Sequence, residues 1–329
     1  MTDIKVYDQQ EGKNWVAYHG DSCEVLKGVP ENSIHLSIYS PPFADLFTYS
    51  NSDRDLGNSR DWGEFFQHYA FIIREVLRVT KPGRLTCVHT SDIPSMAVKD
   101  GVIGMKDFPG AVIRAYEAEG WIYHGYAIVP KNPQAQAIRV KSKGLAFQQL
   151  RKDASWVRPA LIDRVLIFRK NGENEVPVTP VTHGEMTNET WIDWAGGVWA
   201  DEVDRGLLNK PINSKEDWMD FVYAIWYGIS ESDVLRYAEA RAQDDEKHIC
   251  PLQLGTIERC VKLWSNPNET ILTPFMGIGS ECYQALKFGR RAVGIELKDS
   301  YFQIAVKNLQ EAERQFATQD LFGYAGVKV

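Results

Sequence analysis

The 329-residue sequence predicts a doubly wound α/β fold with a mostly parallel sheet and an inserted, mainly helical or irregular subdomain. Three observations predict it. Short apolar runs of strand length alternate with amphipathic stretches early in the chain and again near its end. A glycine-rich turn, Thr273 to Ser280, lies between a strand-like and a helix-like run. Residues 191–247 are acidic and Trp-rich and show neither pattern.

In chain order, Trp15–His19 is the first predicted strand, closed by Gly20-Asp21 and a helical turn over Glu24–Leu26. Ile34 to Tyr39 is a buried strand that runs into Ser40-Pro41-Pro42-Phe43. Two prolines cannot continue a central strand, so the chain leaves the sheet there. Residues 44–60 are polar and turn-rich, a loop. Trp62–Val79 has helical spacing, with Phe65, Phe66, Tyr69, Ile72, Ile73, Val76 and Leu77 on one face. Lys81-Pro82-Gly83 is expected to end it before a strand over Arg84–His89. A helix over 108–119 and strands over 121–129 and 161–169 follow, and residues 171–190 leave the sheet. After the acidic stretch come helix Leu252–Leu263, strand Thr270–Leu272, helix 281–288, strand 291–297 and helix 299–315. The expected organisation is a first half over 1–170, an insert over 171–247, and a second half of the same domain over 248–329.

Composition narrows the function classes. A 44% hydrophobic, 25% charged chain excludes a disordered or collagen-like protein. With 37 Lys and Arg against 44 Asp and Glu, the net charge is −7, so any nucleic-acid site is a local patch on an acidic body. That patch is visible: residues 134–170 hold nine Lys or Arg against two Asp or Glu, a local +7. Arg139, Lys141, Lys143, Arg151, Lys152 and Arg158 flank Phe147 and Trp156 there, a mix suited to phosphate contact, or to a solvated basic loop. The opening residues carry no apolar run, which predicts no secretory signal, and no stretch has the length of a membrane span. Cys23, Cys87, Cys250, Cys260 and Cys282 are scattered and odd in number. They predict reduced thiols in a cytoplasmic protein and no metal site.

The glycine turn lets backbone approach a ligand at a helix N-terminus. Gly277 and Gly279 give G-x-G, but Cys282 stands where a dinucleotide fingerprint has its third glycine. Glu296, at the end of the next strand, suits the two hydroxyls of a ribose, or is a solvated charge. Asp21 is a helix cap or an acceptor for an adenine amine. At Ser40-Pro41-Pro42-Phe43 the prolines stiffen the backbone and leave carbonyls free. Ser40 Oγ and the Pro41 carbonyl can both accept from an exocyclic amine, drawing it toward a tetrahedral, nucleophilic nitrogen, while Phe43 offers a stacking face. A plain strand exit with a core Phe is the other reading.

These residues carry a resemblance. Ser40-Pro-Pro-Phe43 resembles the (Asp/Asn/Ser)-Pro-Pro-(Tyr/Phe) motif of amino-group DNA methyltransferases. Thr273-Pro-Phe-Met-Gly-Ile-Gly-Ser280 resembles their S-adenosylmethionine (AdoMet) loop, and Lys247-His248-Ile-Cys-Pro251 the segment before it. Gly20-Asp21 and Ala292-Val-Gly-Ile-Glu296 with Tyr301 resemble two further motifs, and the order is that of the β group. The resemblance implies a Rossmann-like methyltransferase fold, AdoMet as cofactor, and double-stranded DNA as partner. It implies that Ser40, Pro41, Pro42 and Phe43 act on a flipped base. It implies that Asp21, Lys247, His248, Pro251, Phe275, Gly277, Gly279, Ser280 and Glu296 surround the cofactor. Thr273 replaces the usual Asp of that loop, which leaves open a catalytically weak, DNA-binding relative. Ser at the first motif position favours cytosine N4 over adenine N6. No Pro-Cys pair exists for cytosine-C5 chemistry.

Other residues are expected to be structural. His35, His89 and His124 read as core histidines, and Trp191, Trp194, Trp199, Trp218 and Trp226 as core rather than base readers. The acidic insert is expected to pack on the sheet or to form a homodimer face.

Overall fold

The computed structural model describes residues 5–43, 59, 61–95, 97–131, 160–196, 229–230, 232–235 and 251–324. Its centre is an eight-stranded sheet. In chain order the strands are β1 (Val6–Glu11), β2 (Trp15–Gly20), β3 (Ile34–Tyr39), β4 (Thr80–Ser91), β7 (Ile122–Pro130), β8 (Ile162–Arg169), β9 (Thr270–Thr273) and β10 (Arg291–Glu296). β5 (Ile93–Ser95) and β6 (Gly104–Lys106) form a separate small ladder. The helices are α1 (Ser22–Val25), α2 (Trp62–Val79), α3 (Ala97–Asp100), α4 (Phe108–Ala118), α5 (Asn188–Gly196), α6 (Leu254–Trp264), α7 (Ser280–Lys287) and α8 (Asp299–Tyr324).

The spatial order is β1-β2-β10-β9-β3-β4-β8-β7. β2, β10, β9, β3 and β4 run parallel, while β1 on one side and the β8–β7 pair on the other are antiparallel. The expected doubly wound, mostly parallel α/β sheet is therefore present, built from both ends of the sequence. The winding direction reverses between β3 and β9. From β3 the chain steps through α2 to β4, and from β9 it steps through α7 to β10 on the other side.

The strands alternate as their apolar pattern requires. Leu36, Ile38, Cys87, Ile271 and Ala292 face one buried layer with Ile257, Val261, Phe302 and Leu309 of α6 and α8. Tyr39, Val88, Leu272 and Ile295 face the other, with Phe65, Tyr69, Ile73 and Val76 of α2 and Val112 and Tyr116 of α4. The Val, Leu, Ile and Phe side chains among them each contribute about 1.5–3 kcal/mol by leaving water. Asp61 caps α2 by accepting from the Glu64 N–H at 2.9 Å, and Asp107 caps α4 through Gly110 at 2.8 Å.

Three features differ from expectation. β1 has the polar face of a covering edge strand, so it lacks the apolar run that marked the others. β4 begins at Thr80, and Lys81-Pro82-Gly83 lies within it rather than before it. The ladder skips there: Ile34 pairs with Thr80 and Leu36 with Leu85, so the Pro-Gly is looped out, with Gly83 at φ 73°. α8 continues to Tyr324.

Cys87, Cys260 and Cys282 are buried free thiols, Cys23 is a partly exposed one, and Cys250 lies outside the described residues. Among the described residues no helix is long and apolar enough to cross a membrane, and no cluster has a metal-binding composition.

Candidate active site

Because β2, β10, β9 and β3 are parallel neighbours, their carboxyl ends open on one edge of the sheet in that order. Asp21, Glu296, the glycine turn and Ser40 leave those four ends. The reversal between β3 and β9 is the crevice where open α/β sheets hold ligands. Residues on either side of it touch directly: the Tyr39 and Phe275 rings lie 5.7 Å apart.

On the β3 side, Ser40 is half-buried, and its Oγ lies 3.3 Å from both the Nδ1 and the carbonyl oxygen of His89. Pro41 is buried and Pro42 partly so. The Phe43 ring meets Phe108 edge-on at 5.6 Å, so one flank of it is committed to the core. Beneath them, the buried hydroxyls of Tyr39 and Tyr69 both meet that of Tyr116. Burial pushes all three phenols up, so they stay protonated and keep their mutual hydrogen bonds. The Tyr69 ring also lies 6.3 Å from Phe275, so this trio braces both walls of the crevice.

On the β9 side, Gly277 has φ 53°, and a Cβ there would project into open space. Its N–H donates to Glu296 Oε2 at 2.8 Å, and the Lys298 N–H donates to Oε1 at 2.8 Å. Glu296 is therefore a clasp on the glycine turn and not a solvated charge. A Cβ at Gly294 would stand 2.2 Å from Met276 Sδ, which explains a glycine inside β10. Gly279, with φ 93°, caps α7 from the left-handed region. Ser280 is buried and its Oγ has no hydrogen-bond partner among the described residues, as is also true of Thr273 Oγ1. Ser22 Oγ donates to the Pro274 carbonyl at 2.5 Å, tying α1 to the same turn.

Asp21 caps α1, accepting from the Cys23 N–H at 2.9 Å. Pro251 lies partly buried ahead of α6. Lys247, His248, Arg139, Lys141, Lys143, Arg151, Lys152, Arg158, Phe147 and Trp156 fall outside the described residues, as do Trp199, Trp218 and Trp226.

The remaining cations of the basic stretch are structural. Arg164 pairs with Asp92 at 3.0 Å, Arg169 donates to the Gly172 carbonyl, and Lys170 to Asn32 Oδ1 and the Thr80 carbonyl. Trp194 packs on the core beneath the Arg259 guanidinium, 5.3 Å away, whereas Trp191 is 43% exposed, against expectation.

The histidines divide. His35 accepts from the Thr270 N–H at 3.1 Å, and burial first, with Lys81, Arg84 and Arg291 adding to it against Glu269, lowers it to about 4, so it is a neutral structural ring as expected. His124 is exposed on the edge strand β7. His89 is not a closed-off core group: it faces Ser40 on one side and Asp163 on the other, with Nε2 to Oδ2 at 3.3 Å. Sequence reasoning read His89 as a core histidine and Tyr69 as part of a helix face, and it did not single out Asp163 or Tyr116, because nothing in their spacing reveals contacts across strands.

A family profile described as DNA methylase matches residues 34–307. The chain is 37% identical over 312 residues to the type II methyltransferase M.ScaI of Streptomyces caespitosus, covering 93% of this chain and 84% of that protein. It is 26% identical to the type II methyltransferase M.BglI of Bacillus subtilis, covering 89% and 85%. Among solved structures, the fold is similar to PvuII DNA methyltransferase (cytosine-N4-specific), with TM-score 0.60, 15% identity and coverage of 95% of this chain and 97% of that one. It is also similar to the Thermus thermophilus protein TTHA0409 complexed with S-adenosyl-L-methionine, with TM-score 0.56, 23% identity and coverage of 90% and 94%.

Proposed function

The chain belongs to the N6/N4 DNA methylase family, and from that premise we propose that it methylates the exocyclic amine of a base flipped out of double-stranded DNA, with cytosine N4 as the target. The observation that carries the reading is the pairing of β3 beside β9, which sets Ser40-Pro41-Pro42-Phe43 and the glycine turn at one crevice. Relatives named as type II methyltransferases support DNA as the substrate.

The residues at the crevice fit S-adenosylmethionine. The Gly277 backbone faces open space, the Glu296 carboxylate stands directly behind it, and the buried Ser280 hydroxyl has no partner among the described residues. In this reading Phe275, Gly277, Gly279, Ser280 and Glu296 would hold the cofactor, with Asp21, Lys247, His248 and Pro251 at its rim. The bound cofactor supplies an electrophilic methyl group and its own leaving group, so the protein need not provide a nucleophile. What the chain does is hold and orient. Ser40 Oγ and the Pro41 carbonyl accept from the amine, fixing its lone pair toward the crevice, and Phe43 offers its ring to the base. Arg139, Lys141, Lys143, Arg151, Lys152 and Arg158 are assigned to phosphates, as the locally basic stretch of an otherwise acidic chain.

Incubation with DNA and labelled cofactor, digestion to nucleosides and mass analysis test the assignment. The expected product is N4-methylcytosine; N6-methyladenine would reassign the target base, and no methylated base would overturn the reading. Ser40→Ala is expected to slow single-turnover methylation about 10- to 100-fold while leaving cofactor affinity within about twofold.

A further inference from the structure

Three polar side chains from separate strands line up behind the crevice. Ser40, leaving β3, meets His89 Nδ1 at 3.3 Å, and His89, near the end of β4, meets Asp163 of β8 through Nε2 at 3.3 Å. Asp163 is 3% exposed, and its other oxygen lies 2.5 Å from Lys131 Nζ at the end of β7. Burial alone would raise this carboxyl, but His89 and Lys131 hold it down at about 2, so it is a carboxylate throughout the neutral range. Among the described residues, Asp163 and Lys131 are the charged groups in contact around this ring, since the neighbouring Arg164 and Asp92 pair with each other.

A buried carboxylate 3.3 Å from Nε2, in charge contact with it but outside hydrogen-bond geometry, favours the tautomer with its proton there. Nδ1 is then an acceptor aimed at Ser40. That polarity matches a need of the proposed reaction. When an amine nitrogen takes a methyl group it becomes cationic and must release a proton. Carbonyls at Pro41 and Pro42 are too weakly basic to keep one, and a lone serine hydroxyl is too.

We propose that His89, oriented by Asp163, receives through Ser40 the proton released by the methylated amine. The inference rests on the reading of Ser40 as an amine contact. The N–H proton passes to Ser40 Oγ as the hydroxyl proton passes to His89 Nδ1, and the amine keeps the electron pair of the broken N–H bond. The serine is regenerated, and the imidazolium lies against the Asp163 carboxylate until it loses its proton to solvent. Ser40 is the catalytic residue in this scheme, and His89 and Asp163 are positioning residues acting through it.

Single-turnover rates for the parent, S40A, H89N and S40A/H89N across about pH 5–9 test this, with cofactor calorimetry on each variant reporting an intact fold. In H89N the amide can still meet Ser40 but takes up no proton. H89N is expected to be at least about tenfold slower, to change the pH profile of the rate, and to add no further loss in the S40A background. H89N with the parent's rate and profile overturns the relay, as does a double variant slowed by the product of the two single effects. S40A at the parent rate overturns the amine-contact reading itself, and the relay with it. A readout independent of turnover is the ring tautomer: in 15N-histidine-labelled protein, the signal that disappears in H89N should show Nε2 protonated, and D163N should abolish that preference. Nδ1 protonation in the parent would sink the proposal.

Discussion

Glu281 occupies the first turn of α7, fully buried, directly after the glycine turn. Burial above all, with the Glu296 carboxylate adding to it against a backbone hydrogen bond, pushes its carboxyl up from 4.5 to about 8, so the folded protein keeps it protonated where the unfolded chain ionises it. A carboxyl raised on folding contributes fully below its unfolded value, and that contribution is lost as pH climbs through the folded one. Thermal unfolding is therefore expected to shift downward between pH 4.5 and about 8, and Glu281→Gln, neutral at every pH, is expected to flatten that slope. An unchanged slope would mean that Glu281 is ionised in place. Position in the sequence marked Ser40, Gly277 and Glu296, because proline pairs, glycine turns and strand-end acids are local signals. It did not mark His89 or Asp163, whose role comes from lying across a ladder from one another, which spacing along the chain does not encode.

Among the elements, the parallel strands and α2 were legible because a buried strand and an amphipathic helix each impose a period on their apolar residues. The start of β4 was not, because Pro82-Gly83 is a chain-end signal that here marks a bulge, decided by pairing with β3. The segment after β8 also hid its anchor. Glu185, in a stretch of polar turns, makes a two-pronged ion pair with Arg290, whose side chain is fully buried in the turn before β10. Arg290 also donates to Ser265 and to the Phe288 carbonyl, so one side chain pins this segment, the end of α6 and the end of α7. Glu185→Ala would strand that guanidinium. Removing one partner of a buried pair costs about 3–5 kcal/mol, measurable as a lowered denaturation midpoint with an unchanged denaturant slope.

For the whole molecule, charge is divided between a basic stretch and an acidic remainder. Arg164, Arg169 and Lys170 are committed to the fold, and the proposed DNA contact rests on the six cations between 139 and 158. Replacing Arg139, Lys141 and Lys143 together by Gln is expected to weaken DNA binding and to reduce the salt dependence by about 0.9 for each phosphate no longer neutralised. Cofactor affinity should be unaffected, and an unchanged salt slope would move the DNA surface elsewhere.

The seam between β3 and β9 joins residues as much as 235 positions apart, as in the hydrogen bond from Thr270 to His35. Such a closure is late by necessity, since the entropy of the loop is given up before the pairing offers anything against it. On the ribosome, the wall proposed to hold the amine is made first and waits with an apolar strand margin bare until β9, some 235 residues later, is translated. A prematurely stopped product therefore carries an adhesive strand edge and no methylating competence. The enzyme comes into being only when these two distant strands meet.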